Sequence, residues 1–127
     1  KRSNFKRTSA YFMKKTPKVY LYDIIDSIGL IEEYVDGKSK DDLLTERRLQ
    51  DVIVRRLQII GEAVNRISEM FKEIPTEHPE IPWRKIKGLR NVVIHDYAKI
   101  DFALVWDVIK KDLPELKINT QKIMENY

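Results

Sequence analysis

The sequence predicts an all-α fold, an antiparallel bundle of four to five helices. Three observations carry that prediction. Apolar residues recur at spacings of three and four through two long stretches, the period of one helical face. Gly37 falls between those stretches and the trio Pro75, Pro79 and Pro82 follows the second, where breaks belong. No alternating strand pattern and no hairpin turn signal occurs anywhere.

Leu21, Ile24, Ile28, Ile31 and Val35 form the stripe of a first helix, which Gly37 ends. Residues 38–44 read as a charged connection, with Asp41, Asp42 or Thr45 placed to cap the second helix. Leu49, Ile53, Leu57, Ile60, Val64, Ile67 and Phe71 sustain the stripe of that helix for about six turns. Gly61 sits inside it at a cost of about 1 kcal/mol relative to alanine. Such a glycine is expected where another helix approaches closely. Pro75, Pro79 and Pro82 make a rigid connector in which His78 is expected to face solvent. Pro82 suits the first turn of a third helix carrying Trp83, Ile86, Leu89 and Val93 and running on to residue 97. Asp101 can cap a fourth, with Phe102, Val105, Trp106, Ile109 and Leu113 on one face. Pro114 is expected to kink or interrupt it before a last segment with Leu116, Ile118 and Ile123.

A chain of 127 residues suits one domain. Met13 suggests a helical domain over 13–127, with residues 1–12 a flexible leader or added extension. The absence of cysteine excludes a disulfide scaffold and a thiolate metal site, and fits a reducing, cytoplasmic setting. No apolar run approaches the roughly 20 residues that span a bilayer, so no membrane attachment is expected. The formal charge of +4 is local. Lys1, Arg2, Lys6 and Arg7 account for it, and the rest of the chain holds 20 basic against 20 acidic residues. A second concentration is Arg84, Lys85, Lys87 and Arg90, seven positions without an acid. That run is a candidate RNA-backbone contact, although a solvated helix face is the plainer reading of so short a patch.

The basic run leads into Arg90-Asn91-Val92-Val93-Ile94-His95-Asp96-Tyr97. Arg90 is a permanent cation suited to a phosphate. His95 has the one side chain whose ordinary pKa, roughly 6.5, allows proton transfer in both directions near neutrality. Tyr97 adds a hydroxyl open to covalent modification. A neutral imidazole can take the proton of a ribose 2′-hydroxyl, which attacks the adjacent phosphorus while Arg90 stabilises the growing charge. The products are a 2′,3′-cyclic phosphate and a 5′-hydroxyl. DNA lacks the nucleophile, and no metal or other cofactor is needed. Geometry raises one difficulty. Five residues of regular helix turn Arg90 and His95 about 140° apart. Either the helix loosens, or the arginine curls round, or two subunits of a homodimer pool their residues across a two-fold axis. Each residue alone has a plainer reading. His95 fits a structural histidine at a helix end, Arg90 an ion-pair partner of Asp96, Asp101 or Glu62, and Tyr97 a half-buried packing residue.

The ordered set is more specific. Arg90-Asn91-x-x-x-His95-x-Tyr97, preceded by Pro82-Trp83 and Gly88-Leu89, resembles the HEPN-domain ribonucleases, specifically the HepT-type toxins. Ile60-Gly61-Glu62-Ala63 is similar to the Gly-Glu-Ala turn of that family's long helix, and Val105-Trp106-x-x-Ile109 and Asp112-Leu113-Pro114 also fit. The resemblance runs from residue 13 to about 120. It implies a helical homodimer with the motif at the dimer cleft and a metal-independent RNA endonuclease, the toxin of a toxin–antitoxin pair. It also implies a cognate minimal nucleotidyltransferase antitoxin that transfers AMP from ATP to the motif tyrosine. On this chain Arg90 and His95 are then the catalytic pair, Tyr97 the AMP acceptor, Asn91 an orienting residue, and Glu62 a support for Arg90 or for a helix junction.

Two other classes compete. A helical dimer could embrace the nucleotidyltransferase or a nucleic acid without turnover, or serve as that enzyme's substrate-recognition subunit. Kinase and nucleotide-hydrolase readings lack a Gly-x-x-x-x-Gly-Lys loop. A histidine metal site would need His78 to meet His95 from a distant connector.

Overall fold

In the computed structural model, residues 16–92 and 99–127 are described, and every regular element among them is helical. Helix α1 is Pro17–Val35 and α3 is Arg47–Met70, the two longest at 19 and 24 residues. Their apolar stripes face each other. Leu21, Ile24, Ile28 and Ile31 of α1 and Ile53, Leu57, Ile60, Val64 and Ile67 of α3 are almost wholly withdrawn from water. The pair is antiparallel. Tyr20, near the start of α1, meets Phe71, just past the end of α3, with ring centroids 6.5 Å apart. At the other end Lys38 pairs with Glu46, the residue that opens α3, at 3.0 Å. Burial of both stripes supplies the main driving force for the fold, at about 25 cal/mol per Å² of apolar surface.

The turn after α1 uses glycine as expected. Gly37 has φ +74°, a left-handed conformation that costs other residues, while the Lys38 amide donates to the Val35 carbonyl at 2.9 Å. The charged connection is itself structured. Residues Lys40–Thr45 form α2, capped by Ser39, so Asp41, Asp42 and Thr45 lie inside it and α3 opens instead on Glu46, which makes no side-chain cap hydrogen bond. The Ser39 hydroxyl accepts from the Asp42 amide at 3.2 Å, and the Asp42 carboxylate accepts from the Ser39 amide at 2.8 Å, a reciprocal capping box. Leu43 then drops fully into the core, which repays ordering so short a helix.

The proline connector also contains a helical turn, α4, Glu73–Glu77. His78 closes it and is only partly open, its side chain 23% exposed. The indole N–H of Trp83 donates to its carbonyl at 2.8 Å, which ties the connector to the next helix. His78 is therefore not a free solvent-facing loop residue.

The third helix departs most from expectation. Among the described residues it runs regularly over α5, Trp83–Lys87, and then tightens into a 3₁₀ turn over Gly88–Asn91. The cause lies on α3. A Cβ placed on Gly61 would stand 2.9 Å from both the Arg90 Cα and the Leu89 carbonyl carbon, and nearer still to the Arg90 nitrogen. The backbone of Leu89 and Arg90 thus lies directly on α3, and Gly88, a poor helix former, precedes the change of winding. Residues 93–98 lie outside the described residues.

Asp101 caps α6, Phe102–Asp107, by accepting from the Leu104 amide at 3.1 Å, as its type and position predict. Pro114 marks an interruption of the α winding, as expected, but the helical course continues through it. A π turn, Val108–Asp112, joins α6 to α7, Leu113–Met124, without a gap. Proline cannot donate to the carbonyl four residues back and crowds it, and a widened turn relieves both problems. Helix α7 then packs along α1, where Lys117 pairs with Glu32 at 2.8 Å. No described helix is long and apolar enough to cross a membrane.

Two glycines of the long helices should respond oppositely to alanine. Gly29 has nothing within 4 Å of a built Cβ, so Gly29→Ala should stabilise by about 0.5–1 kcal/mol. Gly61→Ala gains the same propensity yet must push the Arg90 backbone away, for a net loss of about 1–3 kcal/mol. Urea unfolding of both variants measures the contrast. Equal stabilisation would show that the α3 contact is not tight.

Candidate active site

Arg90 owes its position to its backbone. The 3₁₀ turn is seated on Gly61, so the guanidinium leaves the turn beside the next residue of α3, Glu62. Arg90 Nη1 lies 3.8 Å from Glu62 Oε1, and the other Glu62 oxygen accepts from Arg66 Nε at 3.0 Å. One carboxylate therefore stands between two guanidinium groups. Both arginine–glutamate pairs are open to solvent, which limits each to at most about 1 kcal/mol.

This group faces a cleft of about 440 Å³ between α1 and α3. Tyr20 and Asp23 of α1 form one wall. Arg55, Gln58, Ile59, Glu62, Ala63 and Arg66 form the other along α3, and Arg90 reaches in from the 3₁₀ turn. Three permanent cations and two carboxylates line the space, a balance suited to a phosphodiester. Burial pushes the Asp23 carboxyl above the usual carboxylate range, and the negative charge of Asp26 adds to the shift.

Arg90 and Glu62 are thus brought together at the cleft. Asn91 ends the 3₁₀ turn and is exposed. Of the basic run, only Arg90 lines this cleft. Arg84 and Lys85 are exposed on α5, Lys87 is half-buried, and Lys85 turns away to pair with Asp112 of the π turn at 3.0 Å. His95 and Tyr97 lie outside the described residues. Among the described residues, no three His, Cys, Asp or Glu side chains gather where they could hold a metal ion.

Motif and charge-run reading misses Tyr20, Asp23, Arg55, Gln58 and Arg66. A signal for three of them exists. Positions 55, 58, 62 and 66 recur at helical spacing, so Arg55, Gln58, Glu62 and Arg66 form a polar stripe beside the apolar face of α3. That Tyr20 and Asp23 lie opposite this stripe follows only from the antiparallel packing of α1.

The family model described as "Ribonuclease HepT-like" matches residues 24–123. A Methanocaldococcus jannaschii protein named "Gamma-glutamylcyclotransferase and putative RNase" is 43% identical over 113 residues, 89% of this chain and 50% of that protein. The chain therefore spans about half the length of that relative. A Thermococcus cleftensis protein named "Probable ribonuclease HepT" is 40% identical over 87% of this chain and 98% of its own length. A "Putative RNase" of Caldanaerobacter subterraneus subsp. tengcongensis is 35% identical over 87% of this chain and 96% of its own. No solved structure matches the chain significantly.

The raised pKa of Asp23 carries a stability consequence. Between the ordinary value of 3.8 and the raised one, the folded state holds a proton that the unfolded state has released. Rising pH through that window therefore removes stability, and the loss is complete above it. Asp23→Asn abolishes the effect. The variant should gain on the wild type between pH 3 and pH 7, by less than about 1 kcal/mol because solvent screens a half-exposed group. Urea midpoints at the two pH values test this, and an unchanged difference would mean that the carboxyl ionises freely.

Proposed function

The chain belongs to the ribonuclease HepT-like family, and from that premise we propose that it is an RNA endonuclease that works without a metal and acts as the toxin of a toxin–antitoxin pair in the cytoplasm. The observation that carries the reading is Arg90, whose backbone is seated on Gly61 and whose guanidinium opens on the cleft five positions before His95. A fixed cation at the reacting phosphate costs no reorganisation when charge develops there.

In the proposed reaction the His95 imidazole accepts the 2′-hydroxyl proton as the 2′-oxygen bonds to phosphorus. Arg90 holds the non-bridging oxygens by charge-assisted hydrogen bonds, with Asn91 orienting the phosphate. The bond from phosphorus to the 5′-oxygen breaks, and that oxygen takes a proton from an imidazolium or from water. Attacking and leaving oxygens stand on opposite sides of the phosphorus, so one imidazole reaches both with difficulty. A two-fold homodimer supplies a second His95 on the far side, which is why the reading includes one. Glu62 supports Arg90, and Arg84, Lys85 and Lys87 add positive charge along the approaching strand.

Silencing is assigned to a cognate minimal nucleotidyltransferase. The Tyr97 oxygen attacks the α-phosphorus of ATP, pyrophosphate leaves, and AMP remains on the tyrosine. A bulky anion two residues from His95 would repel the RNA phosphate and compete for Arg90.

Unmodified protein should cut RNA in EDTA, leaving a 2′,3′-cyclic phosphate and a 5′-hydroxyl, and should leave DNA intact. His95→Ala and Arg90→Ala should each lower kcat by about 10²–10³. Labelled RNA and end analysis decide the matter, and an inert unmodified dimer across several RNA classes would favour a non-catalytic partner. Tyr97→Phe should cut RNA as the wild type does. With the nucleotidyltransferase and ATP, the wild type should gain the mass of one AMP and stop cutting, while Tyr97→Phe does neither. Full silencing of that variant would place inhibition in binding alone.

A further inference from the structure

The cleft holds two guanidinium groups that the proposed reaction leaves unused. Arg55 and Arg66 are both exposed on α3 and line the same space as Arg90. Eleven residues of helix set them about 16 Å apart along the axis. Arg90 comes in over Gly61, between them along α3. Arg66 and Arg90 nevertheless meet at the Glu62 carboxylate, at 3.0 and 3.8 Å, while Arg55 stands about two turns before Glu62, so the cations form two separate groups along α3. A single phosphate, such as that of a mononucleotide, would call for a gathered cluster. Two groups about 10 Å apart along the axis suit different phosphates of one strand, about three stacked nucleotides at about 3.4 Å each. The cleft, about 440 Å³ with α1 and α3 as its walls, suits a single strand laid along it better than a duplex.

We propose that Arg55 binds a phosphate to one side of the scissile linkage, which Arg90 and Arg66 hold together, so that the cleft is a track for single-stranded RNA running along α3. The identity of the strand rests on the ribonuclease reading. Arg55 has no ion-pair partner among the described residues and is ready to take a phosphate. Arg66 is held by Glu62, which it shares with Arg90, and a phosphate arriving beside Glu62 meets both cations. The basic run on α5 is a poorer candidate for this role, since Lys85 is directed to Asp112, outside the cleft.

The test is binding of a 2′-O-methylated single-stranded RNA, which lacks the attacking hydroxyl, measured by fluorescence anisotropy across a salt series. Arg55→Ala should weaken binding about three- to tenfold and flatten the log–log salt slope by about 0.7, the value for one lost phosphate contact on a single strand. Arg55→Lys should keep the slope. Lys38→Ala removes one charge beyond the end of α1 opposite Tyr20, and should also keep it. Protein that cuts RNA, but whose Arg55→Ala variant binds with unaltered affinity and slope, would overturn the track alone. Protein that shows the Arg55-dependent slope yet cuts no RNA would keep the track and overturn the ribonuclease reading.

Discussion

The contact between Gly61 and the backbone of Leu89 and Arg90 is the constraint on which the site depends. Two segments almost thirty residues apart in sequence meet there without an intervening side chain. Only glycine permits this, and it accepts a helix-propensity penalty of about 1 kcal/mol in the middle of α3 to do so. The consequence passes along the chain. Because Glu62 comes directly after Gly61, the contact that seats the Arg90 backbone also sets a carboxylate beside its guanidinium. Arg66, one turn further on, then shares that carboxylate. One missing methyl group thus organises an arginine pair around an acid.

The strength of that arrangement suits binding better than locking. Arg90 and Glu62 are 3.8 Å apart, beyond hydrogen-bond length, and both remain substantially exposed. Such a pair orients the guanidinium but gives up little when a phosphate replaces the carboxylate. Asp23 across the cleft is in a different state. It is half-buried beside another acid, and its charge is disfavoured by the fold. A carboxylate kept under that penalty lowers the negative charge facing an incoming strand near its own pKa, while the arginines keep theirs at any accessible pH.

The bundle is legible in the sequence because its core obeys one rule. Residue type and spacing alone give the stripes of α1 and α3, the Gly37 stop, the Asp101 cap and the close approach at Gly61. The misreadings share a cause, which is that local pattern is silent about the elements packed against it. Asp41, Asp42 and Thr45 look like caps of α3 only if residues 38–44 are a connection, whereas they belong to α2 and Glu46 opens α3 without a side-chain cap. Pro114 signals an interruption, but that it takes the form of a π turn is not written in the local pattern. The 3₁₀ turn at Gly88–Asn91 answers to a contact with α3, and no local pattern within residues 83–97 encodes it. A separation of about 140° between Arg90 and His95 assumes a regular helix through both, and that premise fails at Arg90 itself.

The site is legible in part, and charge explains where the reading stops. Arg90 and Glu62 stand out through their motifs, while Arg55 and Arg66 are hidden in a chain whose charge beyond residue 12 sums to zero. Net charge carries no information about such a cleft. At physiological salt the field at a phosphate is set within about 8 Å, and a sum over 15.1 kDa of protein averages it away. The contiguous basic run on α5 is conspicuous because neighbours in sequence are easy to count. On a helix, though, successive residues diverge by about 100°, so Arg84 and Lys85 cannot share one face. Arg55 and Arg66, eleven apart, return to nearly the same azimuth after about three turns. Cations that act together along a helix are therefore expected at spacings of about three, four, seven or eleven, and a run of adjacent ones is the weaker sign of a binding surface.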